Sequence, residues 1–220
     1  MASGSAGNCY ICGAELGKTA MKNHLLKIHG AETDGQECCL LKAEGAYDKD
    51  YWLFFDLPVG KALSDVDGFL REIWLECCGH MSAFSDSLHN EVSLSRKLNT
   101  LGIGAKLLHE YDFGTTTKTV VTVVGTIIRK PQKEIVRLLA RNVPPQYRCA
   151  ECGSPAKYIC TECVYDIDNP YYCKKCGEKH EHDEMLLPIT NSPRMGACAY
   201  DGELDTYAFV PAKIKAKEVK

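Results

Sequence analysis

The apolar positions of this chain change period several times. Tyr51–Leu57 (YWLFFDL) is a run of aromatic and aliphatic residues that stops at Pro58, which predicts a strand. In the following LSDVDGFLREIWLECCG, Val66, Phe69, Leu70, Ile73, Trp74 and Cys77 recur at helical spacing and make one apolar face. Ser64 is placed to cap that helix, Asp65 and Asp67 fall in its first turn, and Gly79 supplies a stop. His109–Phe113 and Lys118–Ile128 (KTVVTVVGTII) predict two strands joined by a turn at Gly114. Ile135–Leu139 fits a strand or a single helical turn. Strands outnumber helices and neighbours look hairpin-linked. The expected fold is therefore α+β, with a central antiparallel-rich sheet and a packed amphipathic helix.

Composition narrows the class. The chain has 220 residues, 45% hydrophobic and 25% charged, which is a globular composition and excludes disorder of the whole chain. Its longest apolar stretch, Val120–Ile128, is too short to cross a bilayer as a helix. No charged start leads into a hydrophobic run, so no signal peptide is expected, and residues 1–7 read as a flexible leader. The net charge of −3 argues against a protein whose main task is wrapping nucleic acid.

The 13 cysteines change the picture most. Their number is odd, and most come as C-x-x-C pairs followed by histidines. Such spacings point to metal sites in a reducing compartment rather than to disulfides, so a cytoplasmic protein is expected. Cys9, Cys12, His24 and His29 stand at C-x2-C-x11-H-x4-H, one tetrahedral zinc set, with Leu16 and Met21 between them as a small core. Cys149, Cys152, Cys160, Cys163, Cys173, Cys176, His180 and His182 supply eight further ligands, enough for two closed sites. Three zinc ions are thus expected, in two small zinc-stabilised modules. The domain reading is 1–35 for the first module, 36–146 for the α+β domain, 147–200 for the second module and 201–220 for a tail. Within that tail, residues 213–220 carry four lysines and one glutamate.

The first module resembles the two-Cys-two-His zinc fingers, with a middle spacing one residue shorter than usual and Leu16 where phenylalanine is commoner. That resemblance places Gly17, Ala20 and Asn23 at the base-reading positions, and only Asn23 can bond a base edge. A structural or protein-contact role is favoured over specific DNA readout. The second module resembles the ZZ and B-box cross-brace fingers. This likeness implies interleaving, with one ion on Cys149, Cys152, Cys173 and Cys176 and the other on Cys160, Cys163, His180 and His182. It also implies a peptide reader. Across residues 151–184 there are four lysines against eight acids, a balance of −4 that favours a basic partner. The stretch LSDVDGFLREIWLECCGHMSAF, with KLLHEYDFGTTTKTVVTVVG, resembles the Ri-plasmid open-reading-frame-three-like domains, also called transposon-passenger resolvase-like. Asp65, Asp67, Trp74 and Tyr111-Asp112-Phe113-Gly114 carry this likeness. It implies a compact α+β fold of unassigned activity and an accessory role in a mobile element or defence system. No recombinase constellation accompanies it.

Three further groups invite a chemical reading. Cys77, Cys78 and His80 close the predicted helix. They could form a thiol–histidine pair, half of a fourth metal site with Cys38, Cys39 or Cys198, or simple packing. Tyr111, Asp112 and Gly114–Thr117 form either an anion-binding turn or a hairpin capped by its Asp. Arg129, Lys130, Lys133, Arg137 and Arg141, with Lys18, Lys22 and Lys27 of the finger, are the candidate nucleic-acid contacts. The resulting expectation is a zinc-binding adaptor that binds a protein partner and is no enzyme, with no membrane association. Nucleic-acid binding through the basic groups is the first alternative, and a thiol enzyme on Cys78 and His80 is the second.

Overall fold

The run YWLFFDL forms an interior strand of a nine-stranded sheet. In the computed structural model, which describes residues 5–211, that sheet contains β1 (Ala6–Cys9), β2 (Glu15–Gly17), β3 (Gln36–Gly45), β4 (Trp52–Pro58) and β5 (Ser82–Ser85). It also contains β6 (Glu91–Val92), β7 (Lys106–Tyr111), β8 (Thr117–Arg129) and β9 (Arg137–Asn142). The strand order is β2-β1-β9-β4-β3-β8-β7-β5-β6, and each of these pairings is antiparallel. The α+β class follows directly. Ile135–Leu139 resolves as strand rather than helix, displaced to Arg137–Asn142.

Both faces of the sheet are covered, which explains why β4 is apolar at nearly every position. Trp52 and Phe54 point to one face, where Met21 and Leu25 of helix α1 (Lys18–Ile28) pack on them together with Leu40, Ile127 and Leu139. Leu53, Phe55 and Leu57 point to the other, against α2 (Leu63–Leu70) and its π-helical continuation Arg71–Leu75. There Leu63, Val66, Phe69, Leu70, Ile73 and Trp74 are buried, as the helical spacing requires. The N-cap is Ala62 rather than Ser64. Its N–H donates to the Asp65 carboxylate at 2.9 Å, while the first free N–H groups of the helix, on Leu63 and Ser64, donate to the Arg96 (3.0 Å) and Leu94 (2.8 Å) carbonyls rather than to a serine hydroxyl.

The N-terminal finger belongs to this sheet. Strand β1 pairs with β2 on one side and with β9 on the other, matching Gly7 to Asn142 and Cys9 to Ala140. Ala6 and Gly7, read from sequence as part of a leader, therefore lie in a strand. Gly7 must lack a side chain, because a Cβ there would stand 2.3 Å from the Trp52 ring and 2.4 Å from the Arg141 carbonyl oxygen.

A second sheet, β11-β10-β12, is made of β10 (Tyr158–Cys160), β11 (Tyr171–Tyr172) and β12 (Leu186–Pro188), with a short helix α3 (Lys174–Gly177). Tyr147 joins it to the main domain, stacking on Tyr171 at 4.0 Å and sharing a 2.8 Å hydrogen bond with the Tyr51 hydroxyl. Beyond β12 the chain returns across the main domain. Ser192 Oγ donates to the Trp74 carbonyl (2.6 Å), Trp74 Nε1 donates to the Asn191 carbonyl (3.0 Å), and Arg141 pairs with Asp205 (2.6 Å). Tyr207 packs edge-on against Phe69 at 5.6 Å, and Tyr10 Oη donates to the Tyr207 carbonyl at 2.6 Å. Residues 201–210, read as the start of a tail, are tied to the α2 side of this assembly. The lysine-rich 213–220 lies outside the described residues.

Candidate metal centres

Four groups of Cys and His side chains bring their ligand atoms within 4.8 Å of one another. The first is Cys9, Cys12, His24 and His29. Its two thiols come from a tight knuckle, in which the Cys9 N–H donates to the Ala14 carbonyl and the Gly13 N–H to the Cys9 carbonyl, both at 2.8 Å. Gly13 takes φ 81°, open to glycine, to close that turn. His24 comes from α1 and His29 from its C-cap. Their Nε2 atoms are 3.1 Å apart, and Cys12 Sγ is 3.2 Å from His24 Nε2.

The second and third groups are interleaved along the chain: Cys149, Cys152, Cys173 and Cys176 in one, Cys160, Cys163, His180 and His182 in the other. Cys149 and Cys152 repeat the Cys9 knuckle, with the Gly153 N–H on the Cys149 carbonyl and Gly153 at φ 69°. Hydrogen bonds from Ser154 draw the Cys152 thiol down to about 6, while the neighbouring Cys152 and Cys173 push Cys176 up to about 12. His180 stacks on Tyr172 at 4.1 Å, fixing the ring that faces Cys163 Sγ at 3.3 Å.

The fourth group is Cys77, Cys78, His80 and Cys198. Cys38 and Cys39 take no part in it. They sit in β3 on opposite faces of the sheet, each buried in a different core cluster. His80 Nε2 meets Cys198 Sγ at 3.6 Å, and Cys78 Sγ lies 3.7 Å from Cys198 Sγ.

The candidate cationic contacts divide sharply. Arg129 is fully buried with its Nε 2.8 Å from Asp56, Arg137 pairs with Asp56 and Glu32, and Arg141 pairs with Asp205. These three guanidiniums serve the interior and do not form a basic surface. Lys18 pairs with Glu44 at 2.8 Å, whereas Lys22, Lys27, Lys130 and Lys133 are exposed. The segment after Tyr111 is a hairpin turn. Asp112, at φ 65°, accepts the Gly114 N–H on Oδ1 (2.9 Å) and Arg194 on Oδ2 (2.8 Å). Arg194 is a buried residue next to the fourth group that sequence reasoning missed, since an isolated arginine near the C-terminus carries no local signal of its buried partners.

Fold and clusters together define an α+β protein with four Cys/His groups able to hold metal ions. No family profile matches the chain, and no curated protein matches it. A crystal structure of a protein of unknown function from Methanosarcina mazei Go1 is similar over 55% of this chain and 76% of that one, at 16% identity and a TM-score of 0.42. A likeness of that extent supports no functional assignment. Among the described residues, no helix is long and apolar enough to cross a membrane.

Proposed function

We propose that the chain is a zinc-stabilised interaction protein whose acidic C-terminal module binds a basic segment of a protein partner. The first three clusters have the donor set of zinc, and each offers four protein ligands. A closed tetrahedron leaves no position for substrate or water, so these ions hold structure. One observation carries the binding role. Glu151, Glu162, Asp166, Asp168, Glu178, Glu181, Asp183 and Glu184 are all exposed, and among the described residues none of them forms an intramolecular ion pair. Arg129, Arg137 and Arg141 of the main domain are neutralised internally, but these carboxylates face solvent. Tyr165 and Ile167, exposed to 74% and 46%, alternate with Asp166 and Asp168 and add apolar contact to the charge.

The test is isothermal titration calorimetry of the zinc-loaded chain with a lysine-rich peptide. Binding should weaken as salt rises, and Asp166→Asn with Asp168→Asn should reduce it several-fold. Fluorescence anisotropy with short mixed-sequence DNA and RNA is expected to show no binding at physiological salt. Tight, steeply salt-dependent nucleic-acid binding with no peptide binding would replace this reading by one centred on the exposed finger lysines.

A further inference from the structure

We infer that Cys77, Cys78, His80 and Cys198 form a fourth zinc site, with three thiolates and one imidazole, that fastens the returning C-terminal segment to the end of the α2 helix. It is independent of any partner the protein binds. The spacing of the ligand atoms supports it. Two thiolates about 2.3 Å from one ion at the tetrahedral angle stand about 3.8 Å apart, and a thiolate and an imidazole nitrogen about 3.5 Å apart. Cys78 Sγ and Cys198 Sγ are 3.7 Å apart, and Cys198 Sγ and His80 Nε2 are 3.6 Å apart. The same distances recur in the C-x-x-C clusters, at 3.7 Å for Cys152 with Cys173 and 3.6 Å for Cys163 with His182.

The backbone is shaped to deliver these ligands. The π-helical turn ends with the Glu76 N–H on the Arg71 carbonyl, and the chain leaves the helix at once. The Glu76 carboxylate then accepts the Gly79 N–H (2.6 Å) and the Tyr111 hydroxyl (3.0 Å), while Arg71 Nε holds its other oxygen (2.8 Å). Gly79 at φ 75° completes a knuckle that turns Cys77, Cys78 and His80 toward one point. On the opposing segment Cys198 is itself at φ 52°, a left-handed conformation that a cysteine seldom adopts without a constraint.

A buried arginine, itself paired with Asp112, backs one of the ligands. A divalent ion on three thiolates and a neutral imidazole carries one net negative charge. Arg194, fully buried, donates from Nη2 to Cys77 Sγ at 3.3 Å, giving a hydrogen bond and a positive charge behind the ligand. Arg194 is held in place by the Thr115 carbonyl, the Thr117 hydroxyl and Asp112. Because it lies four residues before Cys198, it positions that segment as well.

Zinc content of the full chain, purified without chelator and measured by inductively coupled plasma and native mass spectrometry, tests this. Four ions per chain are expected, and three for Cys198→Ser. Maleimide labelling read by peptide mass spectrometry guards against a variant that misfolds. Cys78 and Cys198 are exposed, so in the unaltered protein they should resist alkylation until chelator is added. Three ions with Cys78 and Cys198 alkylating at once, or joined as a disulfide, would overturn this site and leave the other three standing. No bound zinc at all would overturn both this site and the three structural ions.

Discussion

Truncating Leu25 separates a finger that merely hangs from the domain from one that is built into it. Leu25 is fully buried, and its neighbours are Met21 on its own helix and Leu40, Trp52, Phe54, Ile127, Leu139 and Ala140 on the sheet. Removing a buried leucine side chain costs about 2–5 kcal/mol, from lost transfer energy and the cavity left behind. Alanine is a good helix former, so helix propensity adds no further loss. For a protein of this length each kcal/mol moves the melting temperature by about 2–4 °C, so a mid-range loss of about 3 kcal/mol corresponds to about 6–12 °C. The reporter should lie on the opposite face. The chain has two tryptophans. In a Trp52→Phe background, Trp74, buried against α2, reports only the far core cluster. Leu25→Ala in that background should lower the Trp74 fluorescence transition by the stated amount while zinc content stays unchanged. A Trp74 transition that stays within about 1 °C would refute the claim that α1 covers one face of the main core.

Two further expectations follow from the buried charges. Asp56→Ala should destabilise the domain by about 3–5 kcal/mol, because it leaves Arg129 buried without its carboxylate and strips Arg137 of one of two partners; denaturant midpoints would show it, and a change under 1 kcal/mol would contradict the pairing. Burial pushes Asp67 up, but hydrogen bonds from His109 (2.8 Å) and Ser82 (2.6 Å) prevail and hold it below the usual carboxylate range. Its stabilising contribution is therefore present above the unfolded value of about 3.9 and is lost as pH falls through the folded value. The stability gap between the wild type and Asp67→Asn should narrow as pH drops from about 5 to about 3, and a gap independent of pH would show that Asp67 is not the group responsible.

What could be read from the sequence is what is local. Each C-x-x-C pair advertises a knuckle because metal geometry needs two thiols from one tight turn, and the eleven-residue gap to His24 fits one short helix. The apolar face from Val66 to Trp74 is equally local. The features that escaped depend on distant partners. Cys198 could be named only as one of three possible partners for Cys77, Cys78 and His80, beside Cys38 and Cys39, because it stands alone in its stretch of chain, 118 positions from His80. Arg129, Arg137 and Arg141 look like a basic surface because Glu32, Asp56 and Asp205, which neutralise them, lie far off in sequence. Likewise, nothing in residues 6–9 signals a strand whose second partner is β9. Ser64 fails as the predicted cap because the first-turn N–H groups of α2 are met by the carbonyls of Leu94 and Arg96, distant in sequence.

The pairing of β1 with β9 also sets an order of events during synthesis. Residues 7 and 142 are neighbours in the sheet, so the first of them waits about 135 residues for its partner. At about 5–20 residues per second that interval is about 7–27 s. Zinc held as proposed by Cys9, Cys12, His24 and His29 would close the finger early, since the four lie within 21 residues. Until β9 arrives, however, the apolar side of α1 has only part of its sheet to rest on, and the growing chain presents Met21 and Leu25 to the surrounding water. Zinc bound early at that proposed site would keep the stretch folded while the rest of the domain is made.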